Sequence, residues 1–347
     1  MYFPRRTPAQ SAGRQRRKAL RPVMGIGIGL LLASGPVAVW LITVPSAAQL
    51  PVAGGRVYVT NQQDNTVSVI DARNNKVVAT VPAGTAPEGI AVARDGRHAY
   101  IADNGSAAVS VLDTRTNKIV ATVKVGKKPT GVRLSPDGRS LYVANGGSNS
   151  VSVLDTRTNR VTASVRVGVS PVSVAISRDG AAAYVANTGS RSVSVMDTRT
   201  HRVVRQLPAG RSPVGVAVTP DGGSAYVADE TAAGVTVVGT RTGTVTATVP
   251  VGEGPFDVGL APDGSKAYVA VLGPGKVSVI DTHSHRVSAT VPVGPPGTDP
   301  FNVTATSTAV YVTDQGAGTL TVINPKTLKV TATVTVGTSP YGVAVSP

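Results

Sequence analysis

No cysteine occurs among the 347 residues, which excludes disulfides, thiolate chemistry, thioether-linked haem and cysteine-ligated zinc. Aromatic residues make up 4% of the chain and charged residues 15%, and no stretch carries the apolar period of a soluble helix. Gly, Val, Thr, Ser and Pro recur throughout instead, a composition that favours many short strands joined by tight turns. The formal net charge of +15 is unevenly spread, because seven basic residues (Arg5, Arg6, Arg14, Arg16, Arg17, Lys18 and Arg21) fall in residues 1–48, where no acidic residue occurs. The remainder carries a modest excess of +8.

No charge occurs from Pro22 to Gly55, and Val23 to Val44 is an apolar run of 22 residues behind that arginine cluster. Such a run is long enough to cross a bilayer, with its basic side kept in the cytoplasm. Ser46-Ala47-Ala48 supplies the small residues of a signal-peptidase site, so residues 1–48 read either as a cleaved signal or as an uncleaved membrane anchor. Arg16-Arg17-Lys18-Ala19-Leu20 resembles a twin-arginine export signal, and a lipoprotein anchor is excluded for want of cysteine. Residues 49–55 form a linker, and residues 56–347 are expected outside the cytoplasm, secreted or held at the cell membrane.

Tyrosine recurs at Tyr58, Tyr100, Tyr142, Tyr184, Tyr226, Tyr268 and Tyr311, with five gaps of 42 and one of 43. The same elements surround each. A short apolar run such as Gly131 to Ser135 leads to the turn Pro136-Asp137-Gly138, whose Asp-Gly supplies the positive φ of a hairpin. The tyrosine strand follows, then an alternating strand (Val151 to Asp155), a polar turn and a fourth strand (Val161 to Val167). Four antiparallel strands in about 42 residues are one blade of a β-propeller. The first repeat lacks its first strand, and the chain ends on a spare one, Gly342 to Ser346. An all-β, seven-bladed propeller closed by pairing of its two ends is the expected fold.

Tyr58-Val59-Thr60-Asn61 spells the motif that names the YVTN β-propeller repeat family, and residues 56–347 resemble that family throughout. The resemblance implies fold far more than function, since similar propellers serve as surface proteins, binding modules and, in related families, enzymes.

In a propeller of this strand order the turns between first and second strands and between third and fourth strands share one face, the bottom. His98, His201, His283 and His285 all fall there. His283-Ser284-His285 has the look of a metal pair, but it occupies a turn where other repeats carry Arg and Asn, and zinc would need a third ligand nearby. With no histidine on the top face, no Ser-His-Asp constellation can be assembled. The aspartates of the Asp-Gly turns, and Asp71, Asp113, Asp155, Asp197 and Asp281, read as turn chemistry rather than calcium loops. Bottom turns hold eighteen basic residues against ten aspartates, among them Arg73, Arg115, Arg157, Arg199, Arg241 and Lys326. The top holds five basic residues, Lys127, Lys128, Arg191, Arg211 and Lys276, against nine acidic. A basic bottom face suits an anionic membrane or a cell-wall polymer.

The repeat breaks at one place. After the proline that opens each first strand stand Glu88, Thr130, Val172, Val214, Phe256, Phe301 and Tyr341, so aromatics fall on three consecutive blades. Asp257 and Asn302 replace a glycine that four of the other five repeats carry, and the extra residues around Gly294 to Pro300 lie in the same sector. Departures from a self-consistent pattern mark candidate sites. Phe256, Phe301, Tyr341, Glu88, Asp257 and Asn302 are therefore the candidate ligand-binding residues, against the alternative that the aromatics only pack the channel rim.

The reading is an exported, non-enzymatic binding or scaffold protein, expected to be a monomer without a cofactor, whose unidentified ligand or protein partner meets the top of the channel. One alternative is a lactonase-like, metal-dependent hydrolase with calcium or magnesium in the channel on Glu88, Asp257 and Asn302. The other is a nucleic-acid-binding periplasmic propeller, disfavoured because basic and aromatic residues fall on opposite faces.

Overall fold

The protein is described by a computed structural model covering residues 55–347. The expected signal or anchor, 1–48, lies outside the described residues, as does the linker except for Gly55.

Seven four-stranded antiparallel sheets follow one another around a ring. Six are contiguous in sequence. The seventh, which we number blade 1, combines the chain's last strand (Pro340–Val345) with its first three (Arg56–Asn61, Thr66–Asp71 and Lys76–Pro82). Val57 pairs with Val345 and Tyr58 with Ala344, and the Ser346 N–H donates to the Arg56 carbonyl at 2.9 Å. Blades 2 to 7 then begin at Pro87, Pro129, Pro171, Pro213, Pro255 and Pro300. Their first strands touch in succession around the whole ring, including the contact from blade 7 to blade 1. Closure through the two ends is as the repeat predicts, and it removes the open edge that would separate first and last blades.

Burial explains the strand chemistry. The second and third strands of each blade are buried on both faces between neighbouring blades; the second reads as an apolar run such as Leu141 to Ala144, while the third alternates valine with buried serine or threonine, as in Ser150–Asp155. The outer strand alternates exposed and half-buried residues, as in Arg160–Arg166. The recurring tyrosines sit in the interblade core, Tyr58 and Tyr268 at 1% exposure. Their hydroxyls reach the next blade, where the Tyr226 O–H donates to the Thr282 carbonyl at 3.1 Å. A buried hydroxyl left without such a partner would be costly.

The bottom turns are built as the sequence implies. Gly96, Gly138, Gly180, Gly222 and Gly264 adopt φ of 67° to 76° behind their aspartates. Asp113, Asp155, Asp197 and Asp281 each accept the N–H three residues on, at 2.6 to 2.8 Å. The following threonine ties both bottom turns of a blade together, as in Thr156 Oγ1 to the Gly138 carbonyl at 2.7 Å.

Candidate functional site

Each first strand enters at the top behind its proline and descends along the channel. The residue after the proline therefore stands at the channel mouth, and those after it line the wall. Among the seven first strands, blades 6, 7 and 1 contribute Phe256, Phe301 and Tyr341 to the mouth.

The three rings come together. Phe256 and Phe301 have centroids 3.7 Å apart at 31°, and Tyr341 meets Phe301 edge-on at 4.5 Å and Phe256 at 6.5 Å. Phe301 is the buried centre at 8% exposure, while Phe256 and Tyr341 stay half-buried at its sides. Burial raises the Tyr341 hydroxyl well above its ordinary range, with the negative charges of Glu88 and Asp257 adding to it.

Glu88, on the next blade round, is buried at 7% and accepts from the Gln62 amide at 2.9 Å. Burial pushes its carboxyl up to about 7, against the pull of Gln62, Thr130, Asn104 and the Lys128 charge. Its carbonyl is held by the Thr60 hydroxyl at 2.5 Å, and that hydroxyl also accepts the Gly342 N–H at 2.8 Å. Thr313 does the same one blade earlier, accepting the Asn302 N–H at 3.0 Å and donating to the Tyr341 carbonyl at 2.8 Å. These two threonines replace the alanine (Val271 follows Ala270 in blade 6) that five other blades carry, so they fasten the strands bearing Glu88 and Tyr341.

Asp257 and Asn302 lie one step deeper and are bonded to each other. Asn302 Nδ2 donates to Asp257 Oδ2 at 2.6 Å, the Val303 N–H donates to the same oxygen at 3.1 Å, and Asn302 Oδ1 accepts the Val343 N–H at 3.1 Å. One polar chain thus crosses blades 6, 7 and 1. The glycine positions that these two residues depart from are tight, because a Cβ at Gly215 would lie 2.7 Å from the Asp257 Cα.

Sequence reasoning overlooked Arg133. It sits fifth in its first strand, where the other blades carry Ala91, Ala175, Ala217, Gly259, Thr304 and Ala344. Its side chain enters the channel, solvent-reached yet ringed by protein, and lies near enough to Asp257 for each charge to act on the other. Burial raises the Asp257 carboxyl, while the Val303 and Val258 N–H groups and Arg133 pull it back. The signal was a lone arginine in a column of small residues.

On the bottom face, Arg115, Arg157, Arg199, Arg241 and Lys326 are exposed. Arg73 is exposed too, but it forks onto Asp71 at 3.0 and 2.6 Å and holds that carboxyl well below the usual range. His285 is not a free turn residue, for its Nδ1 lies 2.8 Å from the Tyr226 hydroxyl of the preceding blade. Among the described residues no three His, Asp or Glu side chains converge as metal ligands do. Two basic residues left out of the face count, Lys124 and Arg166, stand at the top ends of outer strands opposite Ala108 and Ser150.

A closed ring of seven like blades around a channel defines a seven-bladed β-propeller of the repeat class. The chain belongs to the YNCE-like β-propeller family, whose model matches residues 43–135 and 132–223. Hydrazine synthase of Kuenenia stuttgartiensis is similar in structure at TM-score 0.67 and 24% identity, over 86% of this chain and 99% of that one. A functionally unknown protein of Desulfotomaculum acetoxidans DSM 771 aligns at TM-score 0.70 and 16% identity, over 84% and 99%. Dihydro-heme d1 dehydrogenase NirN, solved in complex with DHE, aligns at 0.67 and 16%, over 88% and 78%. At these identities the likeness is one of fold. A stretch of 40 residues is 52% identical to the PE-PGRS family protein PE_PGRS18 of Mycobacterium tuberculosis (strain ATCC 25618 / H37Rv), covering 12% of this chain and 9% of that protein.

Proposed function

We propose that this propeller is an exported, non-enzymatic binding protein that engages its ligand at the top of the channel, on the sector made by blades 6, 7, 1 and 2. The observation that carries the reading is the contact cluster of Phe256, Phe301 and Tyr341, the only aromatics at the mouth. Two half-exposed rings flanking a buried one offer flat apolar contact, and Glu88 with Gln62 supplies polar groups beside them. Glu253 and Asp299 lie close in sequence to the same rim, so a carbohydrate or cationic ligand fits it better than a phosphate.

The hydrolase alternative has less behind it, since among the described residues no three His, Asp or Glu side chains converge as metal ligands do. The enzymes among the structural relatives lend it only fold analogy. A glycan array and pull-down on insoluble peptidoglycan test the binding reading. Wild-type protein should be retained on at least one glycan surface, and the double variant Phe256→Ala/Tyr341→Ala should lose it while melting normally. Equal retention of the variant would place the ligand elsewhere.

A further inference from the structure

The channel holds a cavity of 190 Å³, walled by first strands from all seven blades, with Phe256 and Tyr341 in its lining. At about 30 Å³ per water that is room for about six waters, well short of the roughly 300 Å³ where sites for drug-sized ligands begin. The wall is mostly glycine and aliphatic side chains. Its charged groups are Arg133 from blade 3 and Asp257 from blade 6.

These two do not neutralise each other by contact. Arg73 with Asp71 is the one ion pair among the described residues, so more than hydrogen-bonding distance separates Arg133 from Asp257. Asp257 acts on the Arg133 guanidinium only through its charge, and no hydrogen bond accompanies it. A guanidinium inside a channel with its planar fork unfilled is shaped for a carboxylate, which it grips through two parallel N–H bonds. Asp257 accepts from Asn302 and Val303 through Oδ2, and the Val258 N–H also acts on its carboxylate. The Ser173 hydroxyl also lines the cavity, at a position where four other blades carry glycine.

We propose that this cavity binds a small zwitterion of α-amino-acid size, its carboxylate on Arg133 and its ammonium on the Asp257 carboxylate. Size and charge both select this class. A free anion would satisfy Arg133 but face the Asp257 carboxylate, and a free cation would meet the converse; a molecule carrying both charges leaves neither group unpaired in a confined space. Alanine and serine have about the number of non-hydrogen atoms that a volume of six waters holds. Arg133 and Asp257 lie further down their strands than Phe256 and Tyr341, which line the same cavity nearer the mouth.

Isothermal titration of the full chain with glycine, L-alanine and L-serine, and separately with acetate and methylammonium, tests it. At least one amino acid should bind saturably, with acetate and methylammonium weaker by about tenfold or more, a gap of about 1.4 kcal/mol. Arg133→Ala gives blade 3 the residue that four other blades already have, so it should fold normally and lose the binding. Should that variant melt early, Arg133→Gln, which keeps length without charge, takes its place. Arg133→Ala should leave glycan binding at the rim unchanged while it removes amino-acid binding, which separates the two sites. The proposal is overturned if none of the three amino acids saturates, if acetate binds as well as they do, or if loss of the Arg133 charge changes nothing.

Discussion

Asn302 joins Asp257 to the next blade, giving its amide N–H to the carboxylate at 2.6 Å and taking the Val343 N–H at 3.1 Å. That link makes the departure from glycine at both positions a structural device as well as a candidate site. Asp257→Ala should leave the Val303 N–H and the Asn302 amide short of an acceptor in the channel wall, at about 1–3 kcal/mol. Asp257→Asn keeps an oxygen for them and should cost less. Urea unfolding of the two variants reads the difference directly, and equal losses would mean that the hydrogen bonds contribute little.

The aromatic cluster predicts an order of stability. Phe301→Ala removes the buried member of the cluster and should destabilise by about 3–5 kcal/mol. Phe256→Ala and Tyr341→Ala, at half-buried flanks, should each lose distinctly less. Thermal melts of the three single variants check it, and a larger loss at either flank than at Phe301 would contradict the assigned burial.

Glu88 makes stability depend on pH. In the folded protein its carboxyl holds a proton up to about pH 7, whereas the unfolded chain releases it near the ordinary glutamate value of 4.5. The folded state therefore binds more protons across that window, and stability falls as pH rises through it. Asp103 and Asp314, both pushed by burial to about 6, act in the same direction from 3.8 upward. Glu88→Gln should raise stability at about pH 8 by about 1–3 kcal/mol and flatten part of the slope between about pH 5 and pH 8. Denaturant midpoints at both pH values decide it: a variant that keeps the full wild-type slope shows that Glu88 does not titrate in this window.

The chain end should be indispensable. Deleting Gly342 to Pro347 takes most of the last strand from blade 1, leaving Tyr58 and Val59 without their ladder partners. At about 1 kcal/mol per backbone hydrogen bond, with Val343 and Ala344 lost from the interblade core, the truncated protein should be several kcal/mol less stable. A melt that overlays the intact chain would show that closure contributes nothing.

The exposed arginines of the bottom turns should bring the propeller to anionic surfaces at low salt. Co-sedimentation with anionic vesicles should exceed that with neutral ones and fade as the Debye length shrinks to about 3 Å near 1 M salt. Replacing Arg115, Arg157, Arg199 and Arg241 together with Ser should remove the preference without unfolding, since all four side chains are exposed. Equal sedimentation with neutral and anionic vesicles would end this reading.

Periodicity alone made the fold legible. A blade is a local object of about 42 residues, and seven copies with matching Asp-Gly turns, tyrosines and a spare strand at the end leave one ring to build. That Phe256, Phe301, Tyr341 and Glu88 share the level of the mouth, with Asp257 and Asn302 one step deeper, was legible too, because each broke a pattern visible in the chain itself. Arg133 broke the same kind of pattern and was overlooked, since an arginine among alanines is unremarked until its column is known to face a channel. The pairing of His285 with Tyr226, 59 residues apart, was hidden for a related reason. Sequence assigns each residue to a face of its own blade, but such contacts pass between blades and depend on their packing angle. Local backbone chemistry, repeated, therefore determined the number of blades, their closure and their faces. Only the tertiary ring decided which side chains meet, since it sets the distance across the channel and brings Arg133 and Asp257 into one cavity without an ion pair between them.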